Sequence, residues 1–174
     1  MPRLVLTVIG DDRSGLVEAL ANVVTNHGGN WEHSQMAELA GKFAGIVVVS
    51  VPADRADELS AALGDLEGLL EVSAHPAAGA ETGEAAEARH ALTIDLVGND
   101  HPGIVHDVSA VFARHGLSIE TIETETRDAP MAGGRLFEAH VVVGLPPSAQ
   151  VAQIRGDLER LAAELLVDLA VSED

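Results

Sequence analysis

The stretch Leu92 to Val105, Leu-Thr-Ile-Asp-Leu-Val-Gly-Asn-Asp-His-Pro-Gly-Ile-Val, restates Leu4 to Val17, Leu-Val-Leu-Thr-Val-Ile-Gly-Asp-Asp-Arg-Ser-Gly-Leu-Val. Gly10 and Gly98, Asp12 and Asp100, Gly15 and Gly103, and Val17 and Val105 all stand 88 positions apart, and the same offset pairs His27-Gly28 with His115-Gly116 and Glu32 with Glu120. A repeat that keeps register this far is a duplicated domain. It divides the 174 residues into halves near the lower end of independent domain size, where a small core leans on a partner surface.

Each copy reads as an apolar strand, a Gly-Asx-Asp turn and a helix. Asp12 and Asp100 are expected as N-caps, because a carboxylate there accepts orphan backbone N–H groups and complements the helix dipole. Pro102 fits the first helical turn, where its missing N–H costs nothing. Gly15 and Gly103 carry no Cβ, so a ligand or another chain can approach the N–H groups at the helix start, which makes each turn a candidate anion site. The competing reading is a well-capped scaffold turn inherited twice. A phosphate loop needs Lys and then Ser or Thr after its second Gly, whereas Leu16-Val17 and Ile104-Val105 follow here; the Rossmann spacing is absent too.

Along the chain, Arg3 to Ile9 suits a strand that stops at Gly10, Ser14 to His27 a helix with Leu16, Leu20, Val23 and Val24 on one face, and Asn30 to Leu39 a strand with polar alternation suited to an edge. Gly41 turns the chain into the strand Lys42 to Val51, Ala53 to Leu63 is a helix, and Leu69 to His75 a last strand. The second half repeats the order: strand His90 to Val97, helix Pro102 to His115, strands Leu117 to Thr126 and Arg135 to Gly144, helix Pro147 to Glu164 and strand Leu165 to Val171. Pro52 matches Pro146 at an offset of 94 instead of 88, so six residues are added in the loop Asp128 to Gly134.

The expectation is an α+β protein of two ferredoxin-like βαββαβ domains, residues 1–75 and 90–174, each an antiparallel four-stranded sheet with two helices on one face. Pro76 to Ala88 has no large apolar residue and no periodicity, so 76–89 is the linker. Each bare sheet face needs cover, from the other half or from a second chain, which implies a homo-oligomer, most simply a dimer.

Composition limits what such a chain can do. Aromatics make up 2% of residues, which leaves little ring surface for stacking bases or flat cofactors. With 28 acidic and 10 basic residues the net charge is −18, spread as −10 before Arg89 and −8 from it onward, so direct nucleic-acid binding is not expected. There is no cysteine and no apolar run long enough to span a bilayer, and the chain reads as a cytoplasmic protein without membrane contact.

The duplicated phrase resembles the ACT-domain family, and most the glycine cleavage system transcriptional repressor type, which is built of two such domains and little else. Gly98-Asn99-Asp100-His101-Pro102-Gly103-Ile104-Val105 is the copy closer to the family phrase, while Gly10-Asp11-Asp12-Arg13-Ser14-Gly15-Leu16 carries Arg13-Ser14 where the other has His101-Pro102, so its site differs or is silent. The resemblance implies amino-acid sensing between domains, with the ligand seated by the turn after the first strand and no cofactor. It also implies that any transcriptional effect passes through a separate regulatory protein.

No catalytic reading competes. His101, His106 and Asp107 form the tightest cluster, but five positions is about 500° around a helix, not the shared face of a metal-binding pair. Asp11-Asp12 and Asn99-Asp100 have no nucleophile or partner His in both copies and suit an ammonium group better than acid–base work. Trp31 reads as a packing anchor. The expectation is therefore a non-enzymatic regulator that binds a small amino acid of the glycine or serine class; the alternative is an interaction module whose turns bind nothing.

Overall fold

The computed structural model describes residues 1–77, 90–131 and 133–174. The chain divides into two units, Met1–Thr82 and Gly83–Asp174. The expected linker, 76–89, lies outside the described residues from position 78 on, and Pro76 itself still belongs to the last strand of the first unit.

Unit 1 runs β1 (Arg3–Asp11), α1 (Leu16–Asn26), β2 (Asn30–Leu39), β3 (Lys42–Ser50), a single 3-10 turn at Ala53–Arg55, α2 (Ala56–Gly64) and β4 (Glu71–Pro76). Unit 2 runs β5 (Ala91–Asn99), α3 (Ile104–Arg114), β6 (Ser118–Asp128), β7 (Arg135–Gly144), α4 (Val151–Leu165) and β8 (Val167–Glu173). Both sheets are antiparallel throughout, in the orders β2-β3-β1-β4 and β6-β7-β5-β8. This is the ferredoxin-like arrangement, twice.

Alternation fixes which face each strand buries. In β1, Leu4, Leu6 and Val8 point inward to meet Val47, Val49 and Val51, and α1 lays Leu20 and Val24 over them while α2 adds Leu59 and Leu63. In unit 2 the same layer holds Leu92, Ile94, Leu96, Val141 and Val143 under Val108, Phe112, Ile154 and Leu158. Each such side chain contributes about 1.5–3 kcal/mol by leaving water.

The helices start later than periodicity suggests. α1 begins at Leu16 and α3 at Ile104, because Gly15 (φ 89°) and Gly103 (φ 96°) hold the left-handed conformation that ends the incoming turn. Pro102 stands ahead of this glycine instead of inside the first turn. Likewise α4 starts at Val151, after a turn closed by Ala149 N–H donating to the Pro146 carbonyl at 2.9 Å.

The two open sheet faces differ in chemistry. By register, unit 1 presents Val5, Thr7 and Ile9 of β1, Ala44, Ile46 and Val48 of β3, His33, Gln35, Ala37 and Leu39 of β2, and Glu71, Ser73 and His75 of β4; Ile9, Ile46 and Leu39 are exposed apolar positions among them. Unit 2 presents Asp95 and Val97 of β5, Glu138 and His140 of β7, and Glu123 and Glu125 of β6. There the Asp95 carboxylate bonds the His140 ring at 2.6 Å and holds its pKa above the ordinary value, and Arg127 pairs with Glu138.

Candidate functional site

The duplicated turns sit at the same end of each sheet. β1 and β5 run one or two residues past Gly10 and Val97, where the strands were expected to stop, and Asp12 and Asp100 then continue the ladder through their backbones. Asp12 N–H donates to Gly41 O at 2.9 Å and Asp100 N–H to Arg135 O at 2.8 Å. Neither aspartate is the N-cap that its sequence position suggests, since Gly15 and Gly103 occupy that place and no side chain bonds either helix start. Position decides this: each helix starts after the left-handed glycine three residues beyond the aspartate, so the carboxylate does not stand at the cap, while the aspartate's backbone N–H is satisfied by the sheet.

The glycines of the phrase do two jobs. At Gly10 a Cβ would stand 2.7 Å from Leu69 O and 2.9 Å from Leu70 Cδ2, and at Gly98 it would stand 2.4 Å from Val167 Cγ1. Close packing of the neighbouring strand entry accounts for both. At Gly15 a Cβ would meet nothing within 4 Å, and at Gly103 only Asp107 Oδ2 at 3.9 Å. Here φ alone calls for glycine, and the space before the helix start is open.

That opening is lined differently in the two units. In unit 1 Asp11 faces Lys42 across the β1–β3 pair, and the Lys42 ammonium bonds its carboxylate and holds it below the usual range. Arg13 reaches across to Gly68 O at 3.2 Å. A shallow hollow of about 260 Å³ is bordered by Asp12, Arg13, Gly15, Val17, Glu18 and Phe43, while exposed Ser14 makes no side-chain bond among the described residues. In unit 2 the counterpart of Asp11, Asn99, faces Leu136 in place of a lysine. His101 is half-buried with its ring bonded to Pro102 O at 3.1 Å, Asn99, Asp100 and Pro102 are exposed, and His106 and Asp107 pair with each other on the solvent side of α3. Among the described residues no group of three His, Asp or Glu is placed to hold a metal.

Leu16 and Ile104 are buried and anchor each helix start in the core, while Val17 and Val105 remain exposed at its rim. What the arrangement offers is a helix start with uncapped N–H donors and a positive dipole end, flanked in unit 2 by Asn99 and Asp100. Sequence reasoning did not find Lys42, Phe43 or Gly68. The hairpin at Gly41 was the available signal for Lys42, since it places the start of β3 beside the end of β1.

Two family models match the chain, both described as ACT domain, over residues 2–75 and 92–160. Among curated proteins, UPF0237 protein MK1213 of Methanopyrus kandleri is 34% identical over 83 residues, 47% of this chain and 84% of that protein. Among solved structures, an unknown protein from Galdieria sulphuraria is 32% identical with a TM-score of 0.87, covering 99% of this chain and 98% of that one. The structure of a putative glycine cleavage system transcriptional repressor shares the fold at a TM-score of 0.71 and 15% identity, over 99% of this chain and 97% of that one. Among the described residues no helix is long and apolar enough to cross a membrane. The chain belongs to the ACT-domain family and carries two such domains in tandem.

Proposed function

We propose that this chain is a non-enzymatic regulatory protein that senses a small amino acid, of the glycine or serine class, at the turn of unit 2. The observation that carries the reading is the helix start at Ile104, which follows a left-handed Gly103 and has no side-chain cap. The ligand carboxylate sits on the backbone N–H groups of Gly103 to Val105, and its ammonium lies beside Asn99 or Asp100. Small side chains suit the place, which has no aromatic wall and no guanidinium fork. Family membership supports an amino-acid-sensing role. Unit 1 serves less well, because Lys42 already engages Asp11 and Arg13 spans to Gly68.

The two domains, 1–75 and 90–174, act together through the linker 76–89 and as a homodimer, and ligand shifts which surfaces are presented by binding one arrangement better than another. With a net charge of −18, control of transcription runs through a second protein and not through DNA. The glycine cleavage neighbour names the process we favour, transcriptional repression linked to amino-acid breakdown. A thermal-shift screen with the twenty amino acids tests the ligand: a native-state binder at 100 times its Kd adds about 2.7 kcal/mol. Stabilisation by glycine or serine is the expected result. Tight binding of tryptophan or glutamate by calorimetry would overturn the placement, and no stabilisation by any of the twenty would favour an interaction module whose turns are only scaffold. A specific gel shift by this chain alone at low salt would refute the indirect route.

A further inference from the structure

At the end of each sheet remote from the Gly-Asp turn, the edge strand carries a β-bulge. The register of β2 on β3 slips between Trp31 and His33, and that of β6 on β7 slips between Ile119 and Thr121, so Glu32 and Glu120 are the inserted residues. A bulge re-aims the side chain it inserts. In unit 1 the Glu32 carboxylate meets the guanidinium of Arg3 at 2.8 Å, and both side chains are largely withdrawn from solvent, at 19% and 32% exposure. Arg3 stands opposite Ser50, and the position opposite the equivalent Gly144 in unit 2 is Ala91. The carboxylate is duplicated and its cation is not.

Unlike Glu32, Glu120 is exposed among the described residues. Its Oε1 lies 2.8 Å from where a Cβ on Gly144 would stand, so the carboxylate rests over a glycine in place of the serine of unit 1. Among the described residues no cation pairs with it. It borders a cavity of about 630 Å³ shared with His90, Gly144, Leu145, Pro146 and Glu173. That volume falls in the range of small-molecule sites, and the lining is an apolar wall of Leu145 and Pro146 with Glu120 on one edge strand, β6, and Glu173 on the opposite edge strand, β8.

We infer that this cavity of unit 2 binds a small molecule with a guanidinium or ammonium head and a short apolar stem, its head taking the place beside Glu120 that Arg3 fills beside Glu32. The site is separate from the proposed amino-acid turn, which lies at the other end of β5. The head forms a charge-assisted bond to Glu120 and the stem lies along Leu145 and Pro146. The chain's net charge of −18 concentrates such cations near the surface.

The test is an NMR titration of the full chain with n-butylguanidine, which has the head and stem but no amino-acid carboxylate, and with the neutral n-butylurea. Butylguanidine is expected to shift the amides of Gly144 and Ser118 and leave those of Gly103 and Ile104 unmoved, with butylurea inert. Glu120→Gln should weaken binding about tenfold or more. Ala91→Arg, which recreates the pair of unit 1, should abolish it; if that variant misfolds, the mild Glu120→Gln change carries the test. Arg89 precedes the cavity in sequence and lies outside the described residues, so Arg89→Ala is titrated in parallel: equal binding supports an external ligand. Equal response to butylurea, unchanged affinity in Glu120→Gln, no shift at Gly144, or binding seen only after Arg89 is replaced would each overturn the inference.

Discussion

Gly10 and Gly15 stand five positions apart in one turn, yet replacing each by alanine should fail for different physical reasons. At Gly15 there is room for a Cβ, since nothing lies within 4 Å, but φ is 89°. Holding an L-residue in the left-handed region costs about 1–2 kcal/mol. Stiffening of the unfolded chain returns about 0.4–1 kcal/mol, so Gly15→Ala should lose about 1 kcal/mol and lower Tm by about 4–8 °C for a domain of this size. At Gly10 the Cβ would press on Leu69 O at 2.7 Å, a backbone atom that moves only with the entry to β4. Overpacking of this kind costs about 1–3 kcal/mol, and the upper end applies because the neighbour is not a flexible tip. The assay is built into unit 1: Trp31 is the single tryptophan, the chain has no tyrosine, and Trp31 packs against the unit 1 core, so its fluorescence reports that unit. Asparagine separates the causes, because it tolerates the left-handed region and is larger than alanine. Gly15→Asn should recover most of the loss, and Gly10→Asn should deepen it. Equal damage from the two asparagine variants, or a Gly15→Ala loss under about 0.3 kcal/mol, would refute the division of labour.

Three further outcomes follow from the same geometry. Ala40 (φ 52°) and Gly41 (φ 80°) form the two-residue loop between β2 and β3, a turn that prefers Asn-Gly, so Ala40→Asn should raise unit 1 stability by about 0.5–1 kcal/mol in urea melts. Leu166 ends α4 with φ 56° and is 82% exposed, so Leu166→Gly removes left-handed strain at little packing loss and should stabilise unit 2 by about 0.5–1 kcal/mol, read as a shift in the circular dichroism melt. The hydrogen bond that the His140 ring donates to the Asp95 carboxylate raises the His140 pKa. A raised histidine value means that the pair's stabilisation is present below the ordinary value of about 6.5 and fades as pH climbs through the raised one. Asp95→Asn should bring the His140 titration, followed by NMR of the imidazole protons, down toward the ordinary value; an unchanged midpoint would show that Asp95 is not the cause.

The duplication and the alternation of the strands were enough to read the βαββαβ order of both copies, because apolar periodicity and a repeated phrase survive any detail of packing. Asn30–Leu39 and Arg135–Gly144 match their expected limits residue for residue. What could not be read depends on positive φ and on register. Asp12 has the chemistry of a cap, and only the bond from its N–H to Gly41 O shows that it belongs to the sheet. Pairing of Asp11 with Lys42 needs the β1–β3 register, which no local pattern states. The glutamate bulges likewise look like ordinary strand positions until the ladder slips around them.

The unlike open faces show what duplication made possible. Two copies of one domain can differ in surface, and here the unit 1 face exposes Ile9, Leu39 and Ile46 beside His33, Gln35 and Glu71, while the unit 2 face carries Asp95, Glu123, Glu125 and Glu138. Two copies of the unit 2 face laid against each other would bring Asp95, Glu123 and Glu125 toward their own kind, which disfavours self-recognition there. The unit 1 face carries fewer such groups, Glu71 and an Asp11 already paired with Lys42. Associations through the two surfaces should therefore respond to opposite handles: added salt should leave or strengthen contacts made by Ile9 and Ile46 and should loosen any contact made to the acidic face by a basic partner. One chain thus holds two surfaces whose contacts ionic strength would shift in opposite directions.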